Sequence, residues 1–251
     1  MEHYATAQQV FAAGLVFARL GALVMLMPAI GETFVPARIR LAFALALALM
    51  LFPIIGASAP ALPGSVSGVA GAVIKETAIG LMMGAILRFF MSSLATAGEV
   101  VSIQTTLGFA QTANPTQAAP STTIGTFLGL MGLVLIMTTN LHHLFLGAIV
   151  KSYVIFPFTR DLQLADSNAL AVQTVANSFS LGLQLAAPVV AFALIFNVAT
   201  GLVGRVMPQF QVFFVASPLM VLMGLSIFAL SLGVIGMVWI DHYRDLLAVF
   251  S

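Results

Sequence analysis

The residues able to do chemistry in this chain are few and oddly placed. Nine Lys or Arg and eight Asp or Glu are spread over 251 residues. Five of them, Arg19, Lys75, Glu76, Arg88 and Glu99, fall inside stretches that are otherwise largely apolar. A charge held within an apolar membrane helix costs about 2.5–3.5 kcal/mol on insertion scales, so each needs a partner or water. An ion or proton path is one use of such charges. Pairing with neighbouring subunits, snorkelling, or a position outside the bilayer are the others, and they are favoured here because no Asp/Glu/His relay recurs along one helix face. His142 and His143 form the one histidine pair. Neighbours on a helix diverge by about 100°, and no second His, Asp or Glu cluster accompanies them, so helix-end packing is favoured over a metal site. Walker A, Gly-x-Ser-x-Gly and His-Glu-x-x-His patterns are absent from the sequence, and so is cysteine, which removes thiolate nucleophiles and disulfides. The expectation is a protein without catalytic activity, metal or cofactor.

Glycine spacing carries more. Gly80-x-x-x-Gly84 and Gly125-x-x-x-Gly129 each put two small residues on one helix face, where backbones can approach closely. With Ala95 and Gly98, the first motif predicts tight packing along one long helix, either within the chain or against another subunit. Met82, Met83, Met131, Met137, Met220 and Met223 are deformable apolar volume suited to a compressible constriction or, more simply, to packing.

The elements that hold these residues follow from composition. Hydrophobic residues make up 61% of the chain and charged ones 7%, with mean hydropathy +1.10. A soluble domain carries about 25% charged residues. The chain cannot cover a water-exposed globule of this size, and its net charge of +1 offers no footprint for nucleic acid. Residues 41–74, 100–150, 167–204 and 206–240 hold no formal charge outside histidine. Each stretch exceeds the roughly 20 residues that cross a hydrocarbon core. Six hydrophobic helical segments are predicted, at approximately 8–30, 40–57, 68–97, 122–150, 179–206 and 211–240. Leu41 to Met50 is apolar on every face and rich in helix formers, which argues for helices over the alternating strands of a barrel. The fold class is therefore all-α, polytopic, arranged as helical hairpins in one membrane domain over 1–251. The first run follows no basic region and contains Arg19, which predicts a retained helix in place of a cleaved signal. Loops fall at Gly31–Pro36, Ala57–Gly68, Gly108–Ser121, Pro157–Ser167 and Pro208. The third segment is overlong and charged, and 169–180 is amphipathic, so six simple spans are an approximation. Arg38, Arg40 and Arg205 against Lys151, Arg160 and Arg244 leave the positive-inside rule balanced.

A set of ordered motifs then becomes specific. Arg19 is followed by Pro28 and by Val35-Pro-Ala-Arg38-Ile-Arg40; Glu76-x-x-x-Gly80-x-x-x-Gly84 precedes Ala97-Gly98-Glu99. Gln104-Thr-Thr-Leu-Gly108-Phe109 leads to Asn114-Pro115, and His142-His143 follows. Ala187-Pro188 and Gly201-Leu-Val-Gly204-Arg205-Val-Met-Pro208-Gln209-Phe-Gln211-Val-Phe213 close the series. In this order and spacing the whole chain resembles the FliR/T-type subunit family of the type III secretion export gate. It departs from the usual family pattern at Asn114, where an acidic residue is commoner, and at Gln211, where asparagine is commoner.

The resemblance implies a non-enzymatic pore subunit in the bacterial inner membrane, within the flagellar basal body. It would assemble with FliP and FliQ, and also contact FlhB. Its cargo would be unfolded flagellar proteins, and its surroundings lipid as well as protein. The family's plug loop maps onto Gly108–Thr122, including Phe109, Asn114, Pro115 and Pro120. Glu76, Gly80, Gly84, Gly98 and Glu99 would serve helix packing or assembly. Pro188, Gly204, Arg205, Pro208 and Gln209 carry the family motif in the C-terminal half. The T-type subunit of a virulence injectisome is the near alternative, and a self-contained secondary transporter or channel is the alternative of a different class. The latter calls for a midplane polar site and an internal repeat, and neither is visible in the sequence.

Overall fold

A computed structural model describes residues 6–108, 122–159, 164–207, 209 and 211–248. Among them the regular structure is helical, with no strand. The helices are α1 (Ala7–Leu26), α2 (Ala37–Ile55), α3 (Val66–Gln104), α4 (Thr123–Thr138), α5 (Leu141–Ile155), α6 (Leu164–Val206) and α7 (Val212–Ala248). A short 3₁₀ turn, Gly56–Ser58, follows α2. Five of these helices are long and apolar enough to cross a bilayer, and α4 with α5 form a broken pair that passes the same test together.

Contacts group the chain into two compact units. The first comprises Met1–Phe90, Asn140–Val175 and Asp245–Ser251; the second comprises Met91–Thr139 and Ala176–Arg244. In the first, α1 starts at a capping box: Thr6 Oγ1 accepts from Gln9 N, and Gln9 Oε1 accepts from Thr6 N. Its buried face, Phe11, Leu15, Val16, Arg19, Leu20, Leu23 and Val24, recurs with helical period. Gln8 clasps the proline-rich connection before α3, donating to Pro60 O at 2.7 Å and accepting from Leu62 N at 2.6 Å. α2 buries only Ala44, Ala48 and Ile55, so most of its apolar surface is left for lipid or protein to cover. In the second unit, α4 is capped by Thr122, whose hydroxyl accepts from Gly125 N at 3.1 Å. Trp239 is fully buried there, stacks on Tyr243, and donates Nε1–H to Ser93 Oγ at 3.2 Å.

Four elements differ from the sequence expectation, one of them α7, which runs past 240 to Ala248. The segment at 122–150 is two helices, broken at Thr139–Asn140. Asn140 is left-handed at φ 58°, a conformation asparagine tolerates, and the Thr138 and Thr139 hydroxyls bond back to Val134 O and Leu135 O. The segment at 68–97 continues to Gln104, because Gly98 and Glu99 are both partnered and need not end the helix. The segment at 179–206 begins at Leu164, which absorbs the amphipathic stretch as its first turns.

Candidate functional site

The first cluster lies where α1, α3 and the end of α5 meet. Arg19 and Glu76 are 0% and 1% exposed. Arg19 Nε donates to Glu76 Oε2 at 2.7 Å. Its Nη1 donates to Ser152 O and Oγ at 3.2 and 3.4 Å, and Nη2 donates to Phe156 O at 2.8 Å. The guanidinium lies over the Tyr153 ring, 3.9 Å from its centroid, and 5.6 Å from that of Phe158. Ser152 O and Phe156 O sit at the C-terminal end of α5, where the helix dipole favours a cation. The arginine is thus neutralised and its donors are directed to acceptors, which is what a buried charge requires. Lys75 Nζ donates to Phe158 O at 2.8 Å, so adjacent charges of α3 hold adjacent parts of one connection.

Glycine brings these helices together. A Cβ on Gly80 would collide with the backbone oxygen of Arg19, and one on Gly84 would sit 2.7 Å from Leu26 Cβ. Neither helix backbone can give way, so the crossing of α1 on α3 needs hydrogen at both positions. The predicted close approach at Gly80 and Gly84 is therefore made within the chain. The charges Arg19 and Glu76, read in sequence as seeking neighbours or solvent, satisfy each other.

The second cluster lies within the other unit. A Cβ on Gly98 would overlap Gly125 Cα, and a Cβ on Gly125 would lie 3.4 Å from Ala95 O and 3.5 Å from Glu99 Oε1. Glu99 Oε1 accepts from Thr122 N at 2.7 Å. α3 and α4 thus cross backbone to backbone, and one carboxylate holds the residue that caps α4. Gly182 meets the same helix from α6, with its would-be Cβ 2.8 Å from Ser93 O and from Thr96 Cβ. Gly129 faces open space, so the Gly125-x-x-x-Gly129 motif is used at its first position.

Other expected site residues are placed as follows. Gly108 is half-buried beyond the end of α3; Phe109, Asn114, Pro115 and Pro120 lie outside the described residues. Just before Gly108, Thr106 is left-handed at φ 61°, a strained state for a β-branched residue. Pro188 is exposed within α6, and Arg205 is exposed in its last turn, a favourable end for a cation. Gly204 is half-buried, Gln209 is exposed in the turn after α6, and Pro208 lies outside the described residues. The His142 and His143 rings lie 4.2 Å apart, and no group of three or more metal-binding side chains occurs among the described residues. Met83 and Met220 are buried, while Met137 and Met223 are exposed. Met220, with Thr106, Phe196, Asn197 and Phe214, lines an open cavity of about 690 Å³ in the second unit. Ser152, Tyr153, Phe158 and Gly182 were missed in sequence. No spacing rule links them to Arg19 or Ser93; the isolated buried charges were the only signal that such acceptors had to exist.

A chain of apolar helices, crossed at glycines and carrying a neutralised charge pair, invites comparison with membrane proteins of known family. The family model for bacterial export proteins, family 1, matches residues 10–246. The chain belongs to this family. Within the bacterial export proteins it is similar to the flagellar biosynthetic protein FliR of Caulobacter vibrioides, 61% identical over 251 residues, covering 100% of both chains. It is 31% identical to FliR of Bacillus subtilis strain 168 over 94% of each chain. It is 29% identical to FliR of Escherichia coli K12, over 84% of this chain and 80% of that one.

Proposed function

We propose that this chain is a membrane-embedded, non-enzymatic subunit of the flagellar protein export apparatus. It joins FliP- and FliQ-type subunits, with FlhB as a further contact, in a pore of the bacterial inner membrane that passes unfolded flagellar proteins. The observation that supports this most is the 61% identity to a flagellar biosynthetic protein over both full chains. The clusters described above suit a scaffold: each joins helices, and none presents a nucleophile, a base or a nucleotide cradle. Energy for transport then comes from other components. The segment from Gly108 to Thr122 plugs the pore at rest. Its residues carry no charge and, Phe109 and two glutamines apart, are small, so displacement strands no buried charge.

Two measurements test this. Deleting the gene in its flagellated host should abolish secretion of hook and filament subunits, and the intact chain should restore it; normal secretion without the gene overturns the export role. Removing residues 110–118 should raise ion leakage through the assembled complex, and unchanged permeability argues against a plug.

A further inference from the structure

Every charge on α3 has a partner in the chain except one. Lys75, Glu76 and Glu99 are bonded as described. Arg88 is exposed and makes no hydrogen bond or ion pair among the described residues. It stands 22 residues along a 39-residue helix, about 33 Å from its start at about 1.5 Å per residue. Residues around it are not random. Gly71, Ile74, Ala78, Leu81, Ala85 and Arg88 follow one another at alternating steps of three and four. That spacing is the seam of a left-handed helix pair. All of these are exposed apart from half-buried Ala85, and Ile74 and Leu81 are 68% and 44% exposed. Small residues recur every seventh position at Gly71, Ala78 and Ala85, where a second backbone can approach, and a Cβ on Gly71 would meet nothing within 4 Å. α3 turns Gly80 and Gly84 onto α1, so this seam is a separate face of the same helix.

We infer that the seam from Gly71 to Arg88 docks an apolar helix of another subunit, one that carries an Asp or Glu opposite Arg88. The inference rests on the export-complex reading and adds a contact surface with its charge. Lipid chains fill any outline and gain nothing from small residues in heptad register, whereas a helix backbone does. An arginine in mid-helix with apolar residues on both sides calls for a carboxylate within reach, because a lone charge there is costly.

The test uses the assembled complex in membranes. A photoreactive residue replaces Ala85, and the adduct is mapped by mass spectrometry. The expected product is a crosslink to a helix of another subunit with an Asp or Glu within one turn. Arg88→Glu should lower that crosslink by about tenfold or more, and changing the mapped acid to Lys in the same strain should restore it. The amount of chain in the membrane, measured alongside, separates loss of contact from loss of the protein. An adduct found on phospholipid alone overturns the inference in favour of lipid. A polypeptide adduct indifferent to Arg88→Glu overturns the charge pairing. If the unmodified complex co-purifies while Ala85 captures no subunit, the surface fails and the export reading stands; if the unmodified chain assembles with no other export subunit, the export reading itself fails.

Discussion

Arg19 and Glu76 sit at a helix crossing in the first unit; Gly98 and Gly125 sit at one in the second, with no ion pair between them. Both crossings need glycine, because backbone lies where a Cβ would go. They differ in what fixes the register. In the first unit an arginine, a carboxylate and two helix-end carbonyls must coincide, so a slip of one turn leaves a buried charge bare. In the second unit shape and one hydrogen bond align the backbones: the nearby carboxylate, Glu99, accepts from the residue that caps α4 and makes no ion pair among the described residues. Where water is absent, close packing and hydrogen bonds bring helices together without a hydrophobic drive. A glycine crossing supplies the packing. A buried ion pair adds little net stability but makes the wrong arrangement expensive.

The sharpest way to break this contrast is Glu76→Ala. It strands Arg19 in the core, and loss of one buried partner costs about 3–5 kcal/mol. Denaturation of the purified protein in mild detergent should show that loss. The double variant Arg19→Met with Glu76→Ala should recover much of it, since two apolar groups replace the pair; no recovery would mean the site acts through shape alone. Next in size is Gly98→Ala, which forces the α3–α4 backbones apart at a cost of about 1–3 kcal/mol. Gly129→Ala on the same helix faces open space and should leave the midpoint unchanged or slightly raised, by about 0.4–1 kcal/mol at most. Equal effects at the two glycines would end the claim that the crossing is set at Gly98 and Gly125. The smallest of the destabilising changes is Glu99→Gln. The amide oxygen still accepts from Thr122 N, so only the charge assistance is lost, about 1 kcal/mol. Amide exchange at Thr122 and the first turn of α4 should quicken while α1 stays protected.

Particular residues show how far the sequence could be read. The ends of α1, α2 and α7 lie within a few residues of expectation, apart from the last turns of α7, because apolar runs and flanking glycine or proline mark them. The extension of α3 past residue 97 was hidden, since Gly98 and Glu99 look like a helix end until Gly125 and Thr122 are seen beside them. Asn140 was hidden because one polar trio in a long apolar run is weak against hydropathy. In the site, Glu76, Gly80 and Gly84 were legible as one face of a helix. That Glu76 pairs with Arg19, 57 residues away, was not, since pairing over that separation is decided by the fold.

The complete arginine site also has a history in time. Its acceptors are 57, 133 and 137 residues downstream of Arg19. At about 5–20 residues per second of synthesis, Glu76 emerges roughly 3–11 s after Arg19, and Phe156 roughly 7–27 s after it. During that interval α1 carries a cation whose final neighbours do not yet exist. A bare cation favours a wet or interfacial place for the first helix until then, and the arginine site is complete only once the α5 end of the chain has emerged.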